Sequence, residues 1–324
     1  MPKVSPSVLI IRLDGIGDAL ALTPLLAALR RRGIPVDVVL RRTNAAAFSS
    51  HALRQAIVAT FRLRDGSAEN LASIRELGRR CSATGYSHVL VATEDPGGYR
   101  LAAATEAPHR IGFADPLGKP FKALWTRRML TSSVYRSAGL DRKGRHESET
   151  LFALAAPLLG DDVPTRDAAE LRPMIIDSEP KPGERIAIQV TDKFERAGIP
   201  FAEVVELVRR LQSIAKIRLI ASENERSYAQ RVADAVAEPL SAYNDLAPWK
   251  SAIAAAPAIV TPDSGALHVA GMVGTPVVAV FPAQRHLALQ VARWAPWAAP
   301  HRIVTGDAGW PTRAADALIE LAAL

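Results

Sequence analysis

The chain has 324 residues, one cysteine, seven histidines and a formal net charge of +7. The single Cys81 excludes an internal disulfide and a cluster of thiolate metal ligands, and it fits a reducing compartment. No apolar run approaches the roughly 18 residues of a membrane-spanning helix, and the N-terminal residues have no signal-peptide pattern. We therefore expect a cytoplasmic α/β protein of two domains.

The charge is concentrated in the first half of the chain. Residues 1–160 contain 23 lysines and arginines against 13 acidic residues, whereas the remainder contains 17 against 20. This excess predicts an anionic partner for the first half. A nucleic acid, an anionic lipid head group and a phosphorylated glycan all fit it, as does a basic surface with no specific partner.

The first predicted elements are a buried strand at Ser7–Arg12, a glycine turn at Leu13–Asp18 and a helix at Ala19–Arg32. The turn does not fit a dinucleotide fingerprint, because Leu20 stands where the third glycine would be and Asp18 is negatively charged. Asp18 follows a glycine at the carboxyl end of a strand, where ligand sites form in α/β proteins. It is a candidate general base, and the alternative is a helix cap.

Strands and helices alternate up to residue 112 and predict an open parallel sheet, with Thr43–Arg54 interpreted as a helix. Residues 113–145 have no clear periodicity, and we predict an irregular loop there. This loop is strongly basic, and such a long loop in a compact domain is typically functional. Its basic residues are Lys119, Lys122, Arg127, Arg128, Arg136, Arg142, Lys143 and Arg145.

Residues 161–184 contain four prolines and several acidic residues, which predicts a linker. A second alternation of strands and helices follows. We therefore predict an N-terminal domain at residues 1–160 and a C-terminal domain at residues 185–324. The predicted terminal helix, residues 311–324, is expected to pack either on its own domain or back on the first.

The most informative stretch is Ala258–Phe281, which is typical of a strand–turn–helix–strand unit. Asp263 or Ser264 can cap the helix, and Gly265 lets a ligand approach the backbone. The free N–H groups and the helix dipole predict an anion site, with His268 one helical turn further on. The alternative is a well-capped helix that contains a core histidine.

These residues resemble the donor-diphosphate motif of the heptosyltransferases, a group of inverting GT-B glycosyltransferases. The first glycine turn is similar to another motif of that family, through Gly17-Asp18 and Thr23-Pro24, although Asp14-Gly15 replaces the usual pair of hydroxyl residues. His146 and Glu149 match a third. The residues that match the diphosphate motif are Asp263, Ser264, Gly265, His268, Ala270, Gly274, Pro276, Val277, Val278, Ala279 and Phe281.

The resemblance implies an α/β protein of the GT-B class, with two Rossmann-like domains whose parallel sheets face a central cleft. It implies that Asp18 is the general base and that the C-terminal domain binds the nucleotide sugar. The implied donor-binding residues are Thr191, Lys193, Arg196, Glu225, Asn244, Asp263, Ser264, Gly265, Ala266 and His268. For Glu225 a simple role at a helix start remains open, and so does the choice between Lys193 and Arg196, because Ile199 replaces the tryptophan of that family motif.

The basic loop of the first domain is the predicted acceptor site. We expect Lys122, Arg127, Arg128, Arg142, Lys143 and Arg145 to bind an anionic glycolipid, and we expect no nucleic acid. No metal site and no cofactor are expected, because helix dipoles and cations replace the ion in enzymes of this type.

The resulting expectation is transfer of a heptose from ADP-heptose to the lipopolysaccharide inner core, at the cytoplasmic face of the inner membrane with peripheral membrane contact. The alternatives are the same fold and mechanism with another nucleotide sugar or acceptor, and a nucleotide-binding protein that does not catalyse transfer.

Overall fold

The computed structural model describes residues 7–136 and 144–322 and divides the chain into two compact units, Met1–Thr165 and Arg166–Leu324. Each unit is built on one six-stranded sheet, and every strand pair in both sheets is parallel. No helix in the described ranges is long and apolar enough to cross a membrane.

The sheet of the first unit has the strand order β3-β2-β1-β4-β5-β6. The strands are β1 Val8–Arg12, β2 Val36–Leu40, β3 Gln55–Val58, β4 His88–Val91, β5 His109–Ala114 and β6 Ser132–Tyr135. The helices are α1 Ile16–Leu20, α2 Thr23–Arg31, α3 Ala68–Ser82, α4 Pro96–Ala104, α5 Pro120–Thr126, α6 Glu147–Phe152 and α7 Ala156–Leu159, with 3₁₀ turns at Arg42–Asn44 and Ala153–Ala155.

The sheet of the second unit repeats this order as β12-β11-β10-β7-β8-β9. The strands are β7 Ile186–Gln189, β8 Ile217–Ser222, β9 Leu240–Tyr243, β10 Ile259–Pro262, β11 Val277–Pro282 and β12 His301–Gly306. The helices are α8 Ala168–Leu171, α9 Lys193–Arg196, α10 Phe201–Ile214, α11 Arg226–Val236, α12 Leu246–Ala255, α13 Gly265–Val273, α14 Leu287–Trp294 and α15 Trp310–Ala322, with 3₁₀ turns at Arg172–Met174 and Glu223–Glu225.

The central strands form the cores because their side chains are apolar on both faces. All five residues of β1 are buried, and so are all four of β10. Strands covered by helices on both sides have this continuous apolar character. In each sheet the strand order reverses at one point, between β1 and β4 and between β7 and β10. At such a point the loops leave the sheet in opposite directions and open a crevice for ligands.

Two element predictions were wrong. The alanine-rich stretch predicted as a helix over Thr43–Arg54 forms only a short 3₁₀ turn followed by bends, because the buried Asn44 uses its side-chain amide to bond the carbonyl of Asp14 at 2.8 Å. Residues 113–145, predicted as an irregular loop, contain the helix α5 and the strand β6. Strand β6 extends the sheet by pairing with β5.

Two further segments have local features that the sequence did not indicate. The predicted helix Ala19–Arg32 is split into α1 and α2, and the second helix restarts at Thr23 with Pro24 in its first turn. In the stretch predicted as a linker, Leu171 and Ile175 are fully buried. The last helix, α15, packs on α10 and on strands β11 and β12 of its own unit.

Candidate active site

The carboxylate of Asp18 lies at the switch point of the first sheet, in the third position of helix α1. Its Oδ2 accepts a hydrogen bond from the Gly15 N–H at 3.1 Å, which caps the helix. Its Oδ1 is 2.9 Å from Nη2 of Arg12. The Asp18 side chain remains 32% exposed, so the carboxylate is held in place but still reachable from outside.

Arg12 organises this site from the last position of strand β1. Its side chain is only 2% exposed, and its Nε donates to the Asp18 carbonyl at 3.0 Å. It also donates through Nη1 to the carbonyl of Ala92, which follows β4, so the guanidinium spans the switch point. The fixed fork of five donors in arginine suits a side chain that must serve several acceptors at once.

A second carboxylate completes the network. Glu147, at the start of α6, is 1% exposed and lies 3.1 Å from Arg12 through Oε1 and 2.8 Å from Arg136 through Oε2. Asp14 is a weaker neighbour, with 3.6 Å between its Oδ2 and Nη1 of Arg12. Two arginines and three carboxylates therefore form one largely buried network at the base of the first unit's crevice.

The electrostatics of this network favour a proton acceptor. Burial raises the pKa of Asp18 above its ordinary value of 3.8 against the opposing charge of Arg12, and the negative charges of Asp14 and Glu147 raise it further. A carboxylate with a raised pKa is a better base. An ionised carboxylate offers about four acceptor positions, so the bonds to Gly15 and Arg12 leave room for a hydroxyl.

The sequence analysis singled out His146 and Glu149 but missed Glu147. In the structure His146 caps α6, because its Nδ1 accepts from the Ser148 N–H at 3.1 Å and its own N–H donates to Glu149 at 3.3 Å. The Glu147 contact with Arg12 spans 135 positions in the sequence, so no local pattern could reveal it. The one available signal for Arg12 was its charge at the end of strand β1, whose other four residues are apolar.

In the second unit, the predicted donor residues follow four parallel strands, β7, β8, β9 and β10, that end at the same edge of the sheet. Ser264 caps α13 by accepting from the Ala266 N–H at 3.3 Å, and Gly265 is the first residue of the helix. Thr261 supports the cap through a contact of 2.9 Å between the two hydroxyl oxygens. The structure therefore has the predicted strand, cap and helix start after β10.

Lys193, at the start of the short helix α9 that follows the neighbouring strand β7, reaches the start of α13. Its Nζ donates to the Asp263 carbonyl at 3.1 Å, which crosses the switch point between β7 and β10. Arg196 points elsewhere: it is 64% exposed and pairs with Asp192 at 2.5 Å. The structure therefore brings Lys193, and not Arg196, to the start of α13.

Two contacts near α13 were not foreseen. Gln290, on the unpredicted helix α14, donates to Asp263 Oδ2 at 3.0 Å. His268 is 7% exposed, and its ring meets the ring of Trp294 edge-on at 5.6 Å. Helix α14 therefore covers the side of α13 that carries the predicted histidine.

Thr191 and Glu225 form a separate pair after strands β7 and β8. The Thr191 hydroxyl donates to Glu225 Oε1 at 2.5 Å, and Arg196 lies 3.8 Å from the same oxygen. Burial raises the pKa of Glu225, while the Thr191 hydrogen bond opposes this shift. Asn244 is exposed just after β9, so these predicted side chains follow adjacent strands of the sheet.

The predicted acceptor residues have different surroundings. Lys122 is half-buried and bound to Glu94, at 3.1 Å from Oε2, and Lys119 shares that carboxylate at 3.0 Å. Although burial opposes it, the two ammonium groups lower the pKa of Glu94 to about 2. The side chains of Arg127, Arg128 and Arg145 are exposed, whereas Arg142 and Lys143 lie outside the described residues.

No group of three or more His, Cys, Asp or Glu side chains that could hold a metal ion occurs in residues 7–136 and 144–322. Around Asp18, the guanidinium of Arg12 lies between the carboxylates of Asp14 and Glu147 and contacts both.

Residues 183–317 match the model of glycosyltransferase family 9 (heptosyltransferase). No curated protein matches the chain. Among solved structures, a family 9 glycosyl transferase from Veillonella parvula superposes with a TM-score of 0.72 at 16% identity, over 94% of this chain and 87% of the other.

Two Escherichia coli structures are similarly related. Heptosyltransferase WaaC with ADP gives a TM-score of 0.70 at 19% identity, covering 93% of this chain and 94% of the other. ADP-heptose lps heptosyltransferase II gives 0.71 at 18% identity, covering 98% of both chains. At these identities the structural matches establish the fold. With the two parallel sheets, they confirm the predicted α/β, GT-B fold class.

Proposed function

We propose that this chain, whose residues 183–317 match the model of glycosyltransferase family 9 (heptosyltransferase), is a member of that family and transfers a heptose from ADP-heptose to the lipopolysaccharide inner core with inversion. An acceptor hydroxyl oxygen attacks the anomeric carbon of the heptose. The bond from that carbon to the diphosphate breaks, ADP leaves with the electron pair, and the hydroxyl proton passes to Asp18.

One observation carries the catalytic part of the proposal: Asp18 is a partly exposed carboxylate at a switch point, with a pKa raised by burial. Arg12 fixes its orientation, and Glu147, which is itself paired with Arg136, holds Arg12. Asp18 also caps the helix start through its bond to Gly15, and this structural role is compatible with the proposed catalytic one. A positioned base of this kind contributes about 10² to 10⁴ in rate.

The donor diphosphate is assigned to the start of α13. The N–H groups of Gly265 and its neighbours, together with the helix dipole, favour a negative charge there. Lys193 adds a full positive charge beside them, supported by its 3.1 Å bond to the Asp263 carbonyl. These groups would stabilise the charge that develops on ADP as it leaves. His268 is assigned to the same region.

The nucleoside is assigned to the adjacent strand ends. The carboxylate of Glu225 would accept hydrogen bonds from ribose hydroxyls, with Thr191 orienting it. Asn244, which follows the next strand, is assigned to contact the nucleobase. Arg196 lies beside Glu225 and is assigned a supporting role only.

The acceptor is assigned to the basic surface of the first unit. Phosphate and carboxylate groups of an inner-core glycan suit the exposed guanidinium groups of Arg127, Arg128 and Arg145. Lys122 would contribute only by exchanging Glu94 for an acceptor anion, because the two are paired at 3.1 Å. We further propose that the enzyme acts without metal or cofactor, on the cytoplasmic face of the inner membrane.

One observation supports the alternative of a different nucleotide sugar. Ile199, which replaces the tryptophan of the family motif, is 2% exposed and contacts Gly306 within the core. The segment after β7, which carries Thr191 and Lys193, therefore lacks that aromatic ring, and this leaves room for a different sugar.

Ligand-dependent melting against a panel of sugar nucleotides distinguishes these donors. A ligand at about 100 times its dissociation constant adds roughly 2.7 kcal/mol of stability. For units of this size that raises the melting temperature by about 5 to 10 °C. We expect ADP-heptose and ADP to give the largest shifts. A larger shift with a uridine or guanosine diphosphate sugar would contradict the assigned donor.

A further inference from the structure

Helix α5 of the first unit leaves two of its three large apolar side chains exposed. Only Trp125 packs against the core, beside the small residues Ala123 at 5% and Thr126 at 1% exposure. The residues that face away are Leu117 at 77%, Phe121 at 88% and Leu124 at 60%. An ordinary surface helix has the opposite arrangement. Phe121 and Leu124 lie three positions apart on the helix and share one of its sides, while Leu117 is exposed in the turn just before the helix.

The outward orientation is fixed by bonds on the inner side. The Lys119 N–H donates to the Asp115 carbonyl at 2.9 Å, and the Gly118 N–H donates to the Asp115 carboxylate at 2.8 Å. Lys119 and Lys122 are both tied to Glu94, as described above. Trp125 packs edge-on against the buried Tyr99 at 6.0 Å. These contacts hold the inner side of the segment against the first unit, and Phe121 and Leu124 lie on the exposed side.

Basic side chains surround the apolar ones. Lys119 is 44% exposed at one end of the helix, and Arg127 and Arg128 are exposed at the other. Within residues 117–128 there is no acidic residue. Glu94 neutralises part of the charge of Lys119 and Lys122, which leaves Arg127 and Arg128 as the exposed cations beside the apolar side chains. Exposed apolar side chains next to such cations suit the interface of an anionic bilayer, where the chains enter the acyl region and the cations meet lipid phosphates.

We propose that residues 117–128 are a membrane-interface segment that inserts Leu117, Phe121 and Leu124 into an anionic lipid surface. A second copy of the chain fits less well as the occupant, because a symmetric contact would bring the basic residues of both copies together. The proposal deepens the proposed function. It rests on that function in one respect only, namely that the acceptor is a glycolipid held in the membrane. Arginines bind the phosphate of a lipid and the phosphate of an acceptor glycan in the same way, so replacing them does not distinguish the two ligands. The decisive test therefore replaces the apolar residues.

The experiment is co-sedimentation of the full chain with vesicles that contain no acceptor. We expect strong binding to phosphatidylcholine vesicles that include phosphatidylglycerol, and weak binding to phosphatidylcholine alone. Phe121→Ser with Leu124→Ser should lower the partition coefficient about tenfold or more, because two inserted side chains are lost. Leu117→Ser alone should lower it by a smaller factor. Arg127→Gln with Arg128→Gln should lower it about tenfold.

Matched variants control for surface apolarity and for charge. Val163 is 75% exposed in the same unit but far along the chain, and Val163→Ser should bind vesicles as the wild type does. Arg79→Gln with Arg80→Gln removes two exposed charges from helix α3 and should have a smaller effect than the Arg127 and Arg128 pair. Melting curves for each variant confirm folding, and Leu117→Ser provides an independent reading if the double variant melts early.

Three results would overturn the proposal. One is equal vesicle binding by the wild type and the Phe121 and Leu124 double variant. Another is a dimeric wild type that the double variant converts to a monomer, which would assign the surface to a second copy. The last is loss of transfer to a deacylated, water-soluble acceptor in the double variant, which would assign the surface to the glycan. If the double variant transfers normally to that acceptor but has lost vesicle binding, the membrane role is supported. If the wild type itself does not transfer, the proposed function is contradicted, while the vesicle-binding result still decides the membrane role.

Discussion

Replacing Asp18 by asparagine tests the catalytic base with little disturbance of the fold. Asparagine has nearly the same size and can still offer one oxygen to Arg12. The buried guanidinium would also keep Glu147 at 3.1 Å and the backbone carbonyls of Asp18 and Ala92. It is therefore not left as an unpaired buried charge, the situation that makes such substitutions severely destabilising.

The expected loss of stability comes mainly from the helix cap. If the single side-chain oxygen of the new asparagine turns to Arg12, the Gly15 N–H loses its acceptor, which costs about 0.5 to 2 kcal/mol. Part of this is offset, because a carboxyl with a raised folded pKa stabilises the protein at acid pH and loses that stabilisation as the pH rises through its pKa. At neutral pH we therefore expect a melting temperature lower by only a few degrees.

The expected loss of activity is far larger. Without the basic carboxylate, single-turnover transfer at saturating donor and acceptor should fall by about 10² to 10⁴. Binding of ADP should be unchanged, since Asp18 lies in the other unit from the donor residues. Asp162→Asn, which removes a partly exposed carboxylate paired with Arg32 in the same unit, is the matched control and should transfer normally. Near-normal transfer by Asp18→Asn would refute the base assignment and leave Asp18 as a helix cap.

The remaining predictions concern pH, the donor site and metal. The pH profile of transfer should have an acid limb above the ordinary aspartate value of 3.8, because Asp18 must be deprotonated to act, and Asp18→Asn should remove that limb; a limb at or below 3.8 would contradict the raised pKa. Gly265→Val should weaken ADP binding by blocking approach to the start of α13 while the fold survives, since Gly265 does not have a positive φ. Gly66→Val, in an open loop of the other unit, is its control, and equal ADP affinity in both variants would argue against the site. A chelator should leave transfer intact, and activity that is lost with the chelator and restored by Mg²⁺ or Mn²⁺ would contradict the proposed metal-independent mechanism.

Local sequence patterns predicted the elements whose cause is local. The helix start at Ser264-Gly265 was predictable because a capping serine and a glycine follow an apolar strand directly. Helix α5 was not, because its core-facing residues are Trp125 and the small Ala123 and Thr126, whereas Phe121 and Leu124 are exposed, which disrupts the usual periodicity. The same exposure is the reason that this segment suggests a membrane contact.

The network around Asp18 shows what the sequence could not provide. Asp18 itself was predicted from its place after a strand, but the Arg12 to Glu147 contact joins residues 135 positions apart. Likewise, the choice between Lys193 and Arg196 was open in the sequence because Ile199 replaces the tryptophan of the family motif. The structure separates them through long-range geometry, since Lys193 bonds the carbonyl of Asp263, 70 positions away.

The measurement that tests the central claim most directly is product analysis after the purified chain is incubated with ADP-heptose and a lipopolysaccharide inner-core acceptor. Mass spectrometry should show an acceptor heavier by one heptose together with an equal amount of free ADP, and NMR should show that the configuration at the anomeric carbon is inverted. An acceptor of unchanged mass, or a product formed only from a different nucleotide sugar, would contradict the assignment of this chain as a heptosyltransferase that uses ADP-heptose.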